Sequence, residues 1–187
     1  EVLRSLSSNA MGKASQGAEF GEADMPSAGK LTCEKDRNVI QRIEEDVRTC
    51  YTQTAILSEV VGYVVDYKKG FPDKREKGFM SLQGKQLADD DIEFLYDELS
   101  HLNQDEKTRD GIHKSIKSLN LSSNFMAVKG MNSLGSICSR DLLRSLSVLD
   151  LSRCKRLGAS GVAELLGFLP NSNISTLKLA GCDIGNT

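Results

Sequence analysis

The sequence contains no tryptophan and only 3 prolines, and aromatic residues account for 5% of it. Aromatic side chains anchor many tight interfaces, so this chain has little material for a large aromatic binding surface. No apolar run reaches the roughly 20 residues that a bilayer-spanning helix needs, and no signal-peptide pattern is recognisable. We therefore expect no membrane segment. The mean hydropathy of −0.32 indicates that part of the chain lies outside a core.

The 5 cysteines form neither a CxxC pair nor a zinc-finger spacing. An odd number of cysteines without a pairing pattern is typical of reduced thiols in a reducing compartment. We therefore expect an intracellular, cytoplasmic protein, and a cytoskeletal, ciliary or mitochondrial assembly stays open as an alternative.

The sequence also lacks the patterns of catalysis and cofactor binding. It has no phosphate-binding loop, no dinucleotide-binding glycine pattern and no nucleophile elbow. His101 and His113 have no cysteine pair near them and form no metal-binding motif. Asp89, Asp90 and Asp91 begin a predicted helix, where carboxylates cap free N–H groups, and this interpretation is favoured over a metal site. We predict no catalytic residues, no metal and no cofactor.

A repeating leucine pattern dominates the second half of the chain. Leu82, Leu121, Leu151 and Leu179 follow one another at steps of 39, 30 and 28 residues. Before each of them, apolar and polar residues alternate with the period of a short strand, and after them the apolar spacing becomes helical. We call the position three residues after each of these leucines the ladder position. Its occupants are Lys85, Asn124, Cys154 and Cys182. A polar Asn there is expected to turn inward and bond to the backbone of a bend.

This pattern resembles the leucine-rich-repeat family, in its ribonuclease-inhibitor-like and cysteine-containing types. The resemblance implies an α/β fold, a leucine-rich-repeat solenoid that winds as a right-handed βα superhelix with parallel strands on its concave side. It covers residues 77–187 as about four repeats, of which the last is incomplete. A unit this small cannot bury its own apolar face. Stacked neighbouring units cover it instead.

Two segments precede the repeats. Residues 1–30 are rich in Ser, Ala and Gly and are expected to form a flexible tail. Residues 31–76 are predicted to be helical, with a break near residue 60 and an end at the Gly and Pro of 70–72. An apolar seam at alternating spacings of three and four runs along this helix; its members are Ile40, Ile43, Val47, Cys50, Thr54, Leu57, Val61 and Val64. The seam predicts either an N-terminal cap on the first repeat or a coiled-coil segment.

The charge is unevenly distributed. Residues 31–111 carry 12 basic and 18 acidic side chains, whereas residues 112–187 carry 9 basic and 4 acidic ones. A basic repeat region could favour an acidic partner or a phosphate backbone, but scattered, solvated charge is the favoured interpretation. Nucleic acid is therefore not the expected partner.

The resemblance implies a surface rather than a pocket as the functional site. In this family the polar residues between the strand leucines face outward on the concave side. In this chain the predicted partner-binding residues are Ser118, Asn120, Ser122, Asp150, Ser152, Arg153, Thr176 and Lys178. We predict a non-catalytic protein–protein interaction module, a scaffold or adaptor subunit of a larger intracellular assembly. A substrate-receptor component of a ubiquitin ligase and a GTPase-activating protein of the leucine-rich-repeat type are the alternatives. Self-association through the N-terminal helices or the open C-terminal repeat is a further hypothesis.

Overall fold

The computed structural model describes residues 36–71, 76–104 and 114–185. The predicted tail at 1–30 and His113 lie outside these ranges, as does most of the highly charged segment 103–111, which the sequence predicts to be an exposed loop. The chain divides into two compact units, residues 1–50 and 51–187. In the first unit the described part is the beginning of one helix, on which Val39, Ile43 and Val47 are exposed.

The second unit combines helices with one parallel sheet. In chain order the elements of the described residues are α1 (Arg37–Lys69, shared with the first unit), β1 (Phe79–Ser81), α2 (Asp89–Gln104), β2 (Ser118–Asn120), α3 (Met131–Ile137), β3 (Val148–Asp150), α4 (Gly158–Phe168), a 3-10 turn (Leu169–Asn171) and β4 (Thr176–Lys178). The strands pair in sequence order, β1-β2-β3-β4. An α/β fold with parallel strands is therefore confirmed.

The leucine pattern sets the register of the sheet. Met80, Leu119, Leu149 and Leu177 lie directly opposite one another across the four strands. The first three are fully buried, because alternate residues of a strand point to opposite faces and these face the core. Helix α2 packs beside α3 and α3 beside α4, so the same order of neighbours is kept on the helical side.

The turns after the strands share one unusual backbone conformation. The residue two positions after each reference leucine has a positive φ: Gly84 (63°), Ser123 (58°), Arg153 (62°) and Gly181 (74°). Such angles cost an L-residue with a side chain about 1–2 kcal/mol, which glycine avoids. The turn is thus the same in all four copies, although two of them carry a residue that is strained in it.

Helix α1 ends where the sequence predicts, but it has no break. Gly70 has a φ of 90°, and the Phe71 N–H donates to the Asp66 carbonyl over 2.7 Å, a left-handed cap. The ring of Phe71 then lies 5.3 Å from that of Tyr63, centroid to centroid. The predicted break near residue 60 is wrong, since the helix continues through Gly62 to Lys69.

The face that α1 buries is not the predicted seam. Its buried residues are Thr52, Ile56, Val60 and Tyr63, whereas Leu57 and Val61 of the seam are 38% and 55% exposed. Two of the four buried residues are polar, and both have hydrogen-bond partners elsewhere in the chain. The Thr52 hydroxyl donates to Asp91 Oδ1 over 2.5 Å, and the Tyr63 hydroxyl lies 3.0 Å from Ser115 Oγ. Buried polar groups are tolerated when they are hydrogen-bonded, and both of these are.

Candidate functional site

The face of the sheet that points away from the core carries two rows of aligned side chains. One row consists of Ser81, Asn120, Asp150 and Lys178, and the other consists of Phe79, Ser118, Val148 and Thr176. Parallel strands lie about 4.8 Å apart, so each row extends roughly 15 Å across the sheet. We call this surface the strand face. Six of its eight residues are polar.

Side-chain hydrogen bonds order the ends of β2 and β3 on this face. The Ser122 N–H donates to Asn120 Oδ1 and the Ser152 N–H donates to Asp150 Oδ1, each over 3.0 Å. Asn120 Nδ2 also donates to Gln83 Oε1 over 3.3 Å. Lys178 Nζ lies 3.7 Å from Asp150 Oδ2. These contacts restrict the side chains of Asn120 and Asp150.

The structure brings most of the predicted residues together on or beside the strand face. Thr176 and Lys178 are exposed, and Ser118, Asn120, Asp150 and Ser152 are half-buried. Ser122 departs from the expectation of an outward residue. It is 6% exposed, because the chain turns inward after Asn120 and its carbonyl accepts from the Gly84 N–H. Arg153 is exposed but belongs to the turn after β3, where its N–H donates to the Ala180 carbonyl.

Three residues of the strand face, Phe79, Ser81 and Val148, are not among the predicted partner-binding residues. Phe79 is half-buried and lies beside Ser118, at the first position of β1. It is the aromatic group that the polar row lacks. Its signal in the sequence was its position 39 residues before Ser118, which is one of the predicted residues.

Beneath the turns, the ladder position ties neighbouring repeats together. Asn124 is buried and Nδ2 donates to the carbonyls of Leu82 and Leu121 over 2.9 and 2.8 Å. Its Oδ1 accepts from the Leu87 N–H over 3.1 Å. The predicted inward Asn is therefore confirmed. The next two copies use a thiol: Cys154 Sγ donates to Leu121 O over 3.4 Å, and Cys182 Sγ donates to Leu151 O over 3.0 Å.

Burial disfavours the thiolate form of the buried cysteines. It raises the pKa of Cys138 to about 12 and that of Cys154 to about 11, and it also raises the pKa of Cys182. The thiolate is the nucleophile and the metal ligand, so a raised pKa removes both activities at neutral pH. Cys138 thus acts as a packing group and Cys154 as a hydrogen-bonding group rather than as reactive thiols.

The three adjacent aspartates at the start of α2 each make a specific contact. Asp89 Oδ1 accepts from the Ala127 N–H over 2.7 Å, and Asp90 pairs with Lys129 over 2.7 Å. Asp91 is 4% exposed; one of its oxygens accepts from Thr52 and the other accepts from the Ala88 N–H over 2.8 Å. Within the described ranges, no group of three or more His, Cys, Asp or Glu side chains could hold a metal ion.

Among the helices that the structure describes, none has the length and apolar character needed to cross a bilayer.

Comparison with known proteins identifies one repeat. Residues 143–166, which contain β3 and most of α4, match the family model described as a leucine-rich repeat. A search of curated proteins and a search of solved structures find no match. The match supports a leucine-rich repeat in this segment, and leucine-rich repeats typically bind other proteins.

Proposed function

We propose that this chain is a non-catalytic protein–protein interaction module that binds its partner on the strand face. The observation that supports the proposal is the alignment of Ser81, Asn120, Asp150 and Lys178 across four in-register parallel strands. Repeat proteins commonly use such an extended row for binding, because neighbouring repeats place equivalent side chains at regular intervals. We further propose a role as a scaffold or adaptor in an intracellular assembly, which an extended row of this kind would serve.

The architecture that we propose for this module is a short leucine-rich-repeat solenoid with α1 as its N-terminal cap. The in-register strands and the recurring turn with a positive φ support equivalence of the four copies. The cap is supported by Glu59, whose Oε1 accepts from the Ser81 N–H over 2.9 Å. A strand at the edge of a sheet leaves such groups unpaired unless another element covers them.

The expected partner-binding chemistry is polar with one aromatic contact. The carboxylate of Asp150 and the ammonium of Lys178 lie next to each other, so the partner meets a neutral ion pair rather than a field of one sign. Phe79 gives the face its large apolar group. A partner surface with a short apolar side chain beside hydrogen-bonding groups matches this arrangement.

Capture from native cell extract with quantitative mass spectrometry tests the proposal. The variant Ser118→Arg with Thr176→Arg introduces two long, charged side chains on the strand face. A matched control, Ser136→Arg with Ala163→Arg, adds the same charges to exposed positions of α3 and α4. We expect proteins captured by the wild type and by the control to be lost from the strand-face variant. If all three forms capture the same proteins equally, the strand face is not the binding site.

Self-association through α1 is a second candidate that a specific observation favours. In the second unit, Tyr51, Leu57, Val61 and Val65 are 39%, 38%, 55% and 39% exposed, so the helix presents apolar groups on the side that it does not bury. Light scattering after size exclusion tests the idea at several concentrations. We expect the mass of the wild type to rise with concentration and that of Val61→Glu to stay at the monomer value. A wild type that remains monomeric throughout contradicts this candidate.

No contact among the described residues favours the ubiquitin-ligase or the GTPase-activator alternative, and we propose neither.

A further inference from the structure

A cluster of cations lies outside the strand face, on the turn that follows β3. Arg153, Lys155 and Arg156 are exposed and come within four residues of one another. Phe125, in the preceding turn, is 41% exposed, and the Arg156 guanidinium carbon lies 5.4 Å from the centroid of its ring. We call these four residues the turn patch. An arginine over an aromatic face is held by a cation–π contact, which joins the two turns.

The backbone beneath the turn patch is firmly held. Cys154, between the cations, is buried, and its thiol donates to the Leu121 carbonyl of the neighbouring repeat. The Arg153 N–H donates to the Ala180 carbonyl over 2.7 Å, and the Leu157 N–H donates to the Cys154 carbonyl over 3.0 Å. The cations therefore lie on a turn that is hydrogen-bonded to both neighbouring repeats. A preorganised turn loses little entropy when a ligand binds.

The charge of this region is one-sided. The segments 121–130 and 151–157 contain no Asp or Glu. Their remaining cation, Lys129, pairs with Asp90 over 2.7 Å. The turn after β4 adds a single carboxylate, Asp183. The turns after β3 and β4 thus carry three cations and one carboxylate, and Asp89 contacts the turn after β2 through the Ala127 N–H. On the strand face, by contrast, Asp150 and Lys178 offset each other.

We propose that the turn patch binds an acidic segment of a partner protein, one that carries an apolar side chain for Phe125. Guanidinium groups bind carboxylates with paired, charge-assisted hydrogen bonds, and Lys155 adds a point charge. Nucleic acid is the less suitable ligand, because the whole chain has a net charge of −2 and a pI of about 5.8, whereas nucleic-acid-binding domains are typically basic overall. The inference rests on the proposed protein-binding role but uses a second surface.

A random peptide library displayed on phage is the probe. It is selected on the full chain, on Arg153→Glu with Lys155→Glu and Arg156→Glu, and on a matched control. The control, Lys77→Glu with Lys117→Glu and Arg144→Glu, makes the same charge change at exposed positions before β1, β2 and β3. Circular dichroism and thermal melting show that each variant is folded before it is used.

We expect selection on the wild type and on the control to enrich peptides that combine Asp or Glu with an apolar residue. Their affinity, measured by fluorescence anisotropy, should fall about tenfold or more in the turn-patch variant and several-fold in Phe125→Ala. It should also fall when salt is raised, because exposed charges are screened.

Two results overturn the inference. The first is enrichment of peptides without acidic bias, or of acidic peptides that the turn-patch variant still binds. The second is binding of labelled single-stranded RNA or anionic vesicles, abolished in the turn-patch variant, while no acidic peptide binds. Neither result touches the strand-face proposal, which fails only if Ser118→Arg with Thr176→Arg leaves capture from extract unchanged.

Discussion

Replacing Asn124 with alanine should remove a buried polar link between the first two repeats. The side chain donates to the carbonyls of Leu82 and Leu121 and accepts from the Leu87 N–H, all within 3.1 Å. Asn124 is 2% exposed, so water does not replace these partners at the surface. The change therefore leaves buried backbone groups without a partner, which costs more than the net value of the lost hydrogen bonds.

The expected loss can be worked out group by group. The Leu121 carbonyl keeps a weak partner in the Cys154 thiol. The Leu87 N–H and the Leu82 carbonyl lose the partners that Asn124 gives them. At about 2 kcal/mol for each such group, Asn124→Ala should lower the free energy of unfolding by about 4 kcal/mol. A domain has about 5–15 kcal/mol in total, so the variant should be close to unfolding at room temperature.

Urea denaturation followed by circular dichroism measures this loss. Asn124→Cys extends the test, since a thiol keeps a donor at a position where Cys154 and Cys182 already use one, and it should lose clearly less stability than Asn124→Ala. Asn132→Ala, at an exposed position of α3, should change stability by no more than about 0.5 kcal/mol. A loss below about 1 kcal/mol in Asn124→Ala would refute the argument that the ladder position links the repeats.

Three further predictions concern single residues. Thr52→Val removes the donor to the buried Asp91 and should cost about 2 kcal/mol in a urea titration; no loss would contradict a role for this contact. Ser123→Gly relieves a φ of 58° and should raise the midpoint of urea unfolding, by about 0.5 kcal/mol in free energy; a lower midpoint would contradict strain at this turn. The pKa of Cys138 is raised from 9.0 to about 12 by burial, so its contribution to stability is full below pH 9 and is lost as pH rises toward 12. The stability of the wild type relative to Cys138→Ala should therefore fall by about 1.4 kcal/mol per pH unit above pH 9, and a constant difference would contradict the assignment.

The strands could be predicted because a period of two identifies them locally. Leu119 and Leu149 alternate with polar neighbours, and the same spacing recurs in each copy, so pairing and register follow from a single pattern. Asn124 was predictable for a related reason. An amide at a fixed distance from a strand leucine has few uses other than bonding to the backbone of a bend.

The buried face of α1 could not be predicted in this way. Its apolar residues occur around much of the helix, so periodicity alone allows several seams. The structure buries Thr52 and Tyr63 instead of Leu57 and Val61, because Asp91 and Ser115 offer them partners. Those partners lie 39 and 52 residues away in the chain, where no local pattern connects them with the helix.

The same kind of distant contact limits how well a binding surface can be predicted. The strand positions predict that Asn120, Asp150 and Lys178 are neighbours, and the register of the sheet agrees. The contact of Arg156 with Phe125 depends on how two turns lie beside each other, and the sequence contains no signal for it. Surfaces on regular elements are therefore predictable from repeat spacing, whereas surfaces on turns need coordinates.

The contact between Glu59 and β1 shows how a single carboxylate can replace a missing strand. Within the sheet, the N–H groups of an inner strand that face the preceding strand donate to carbonyls of that strand, as the Val148 N–H does with Lys117 O over 3.0 Å. At β1 the Ser81 N–H instead donates to Glu59 Oε1 over 2.9 Å. A carboxylate accepts this bond without offering a donor of its own, so it satisfies the edge without extending the sheet. Pairing of a further strand with β1 is thereby opposed.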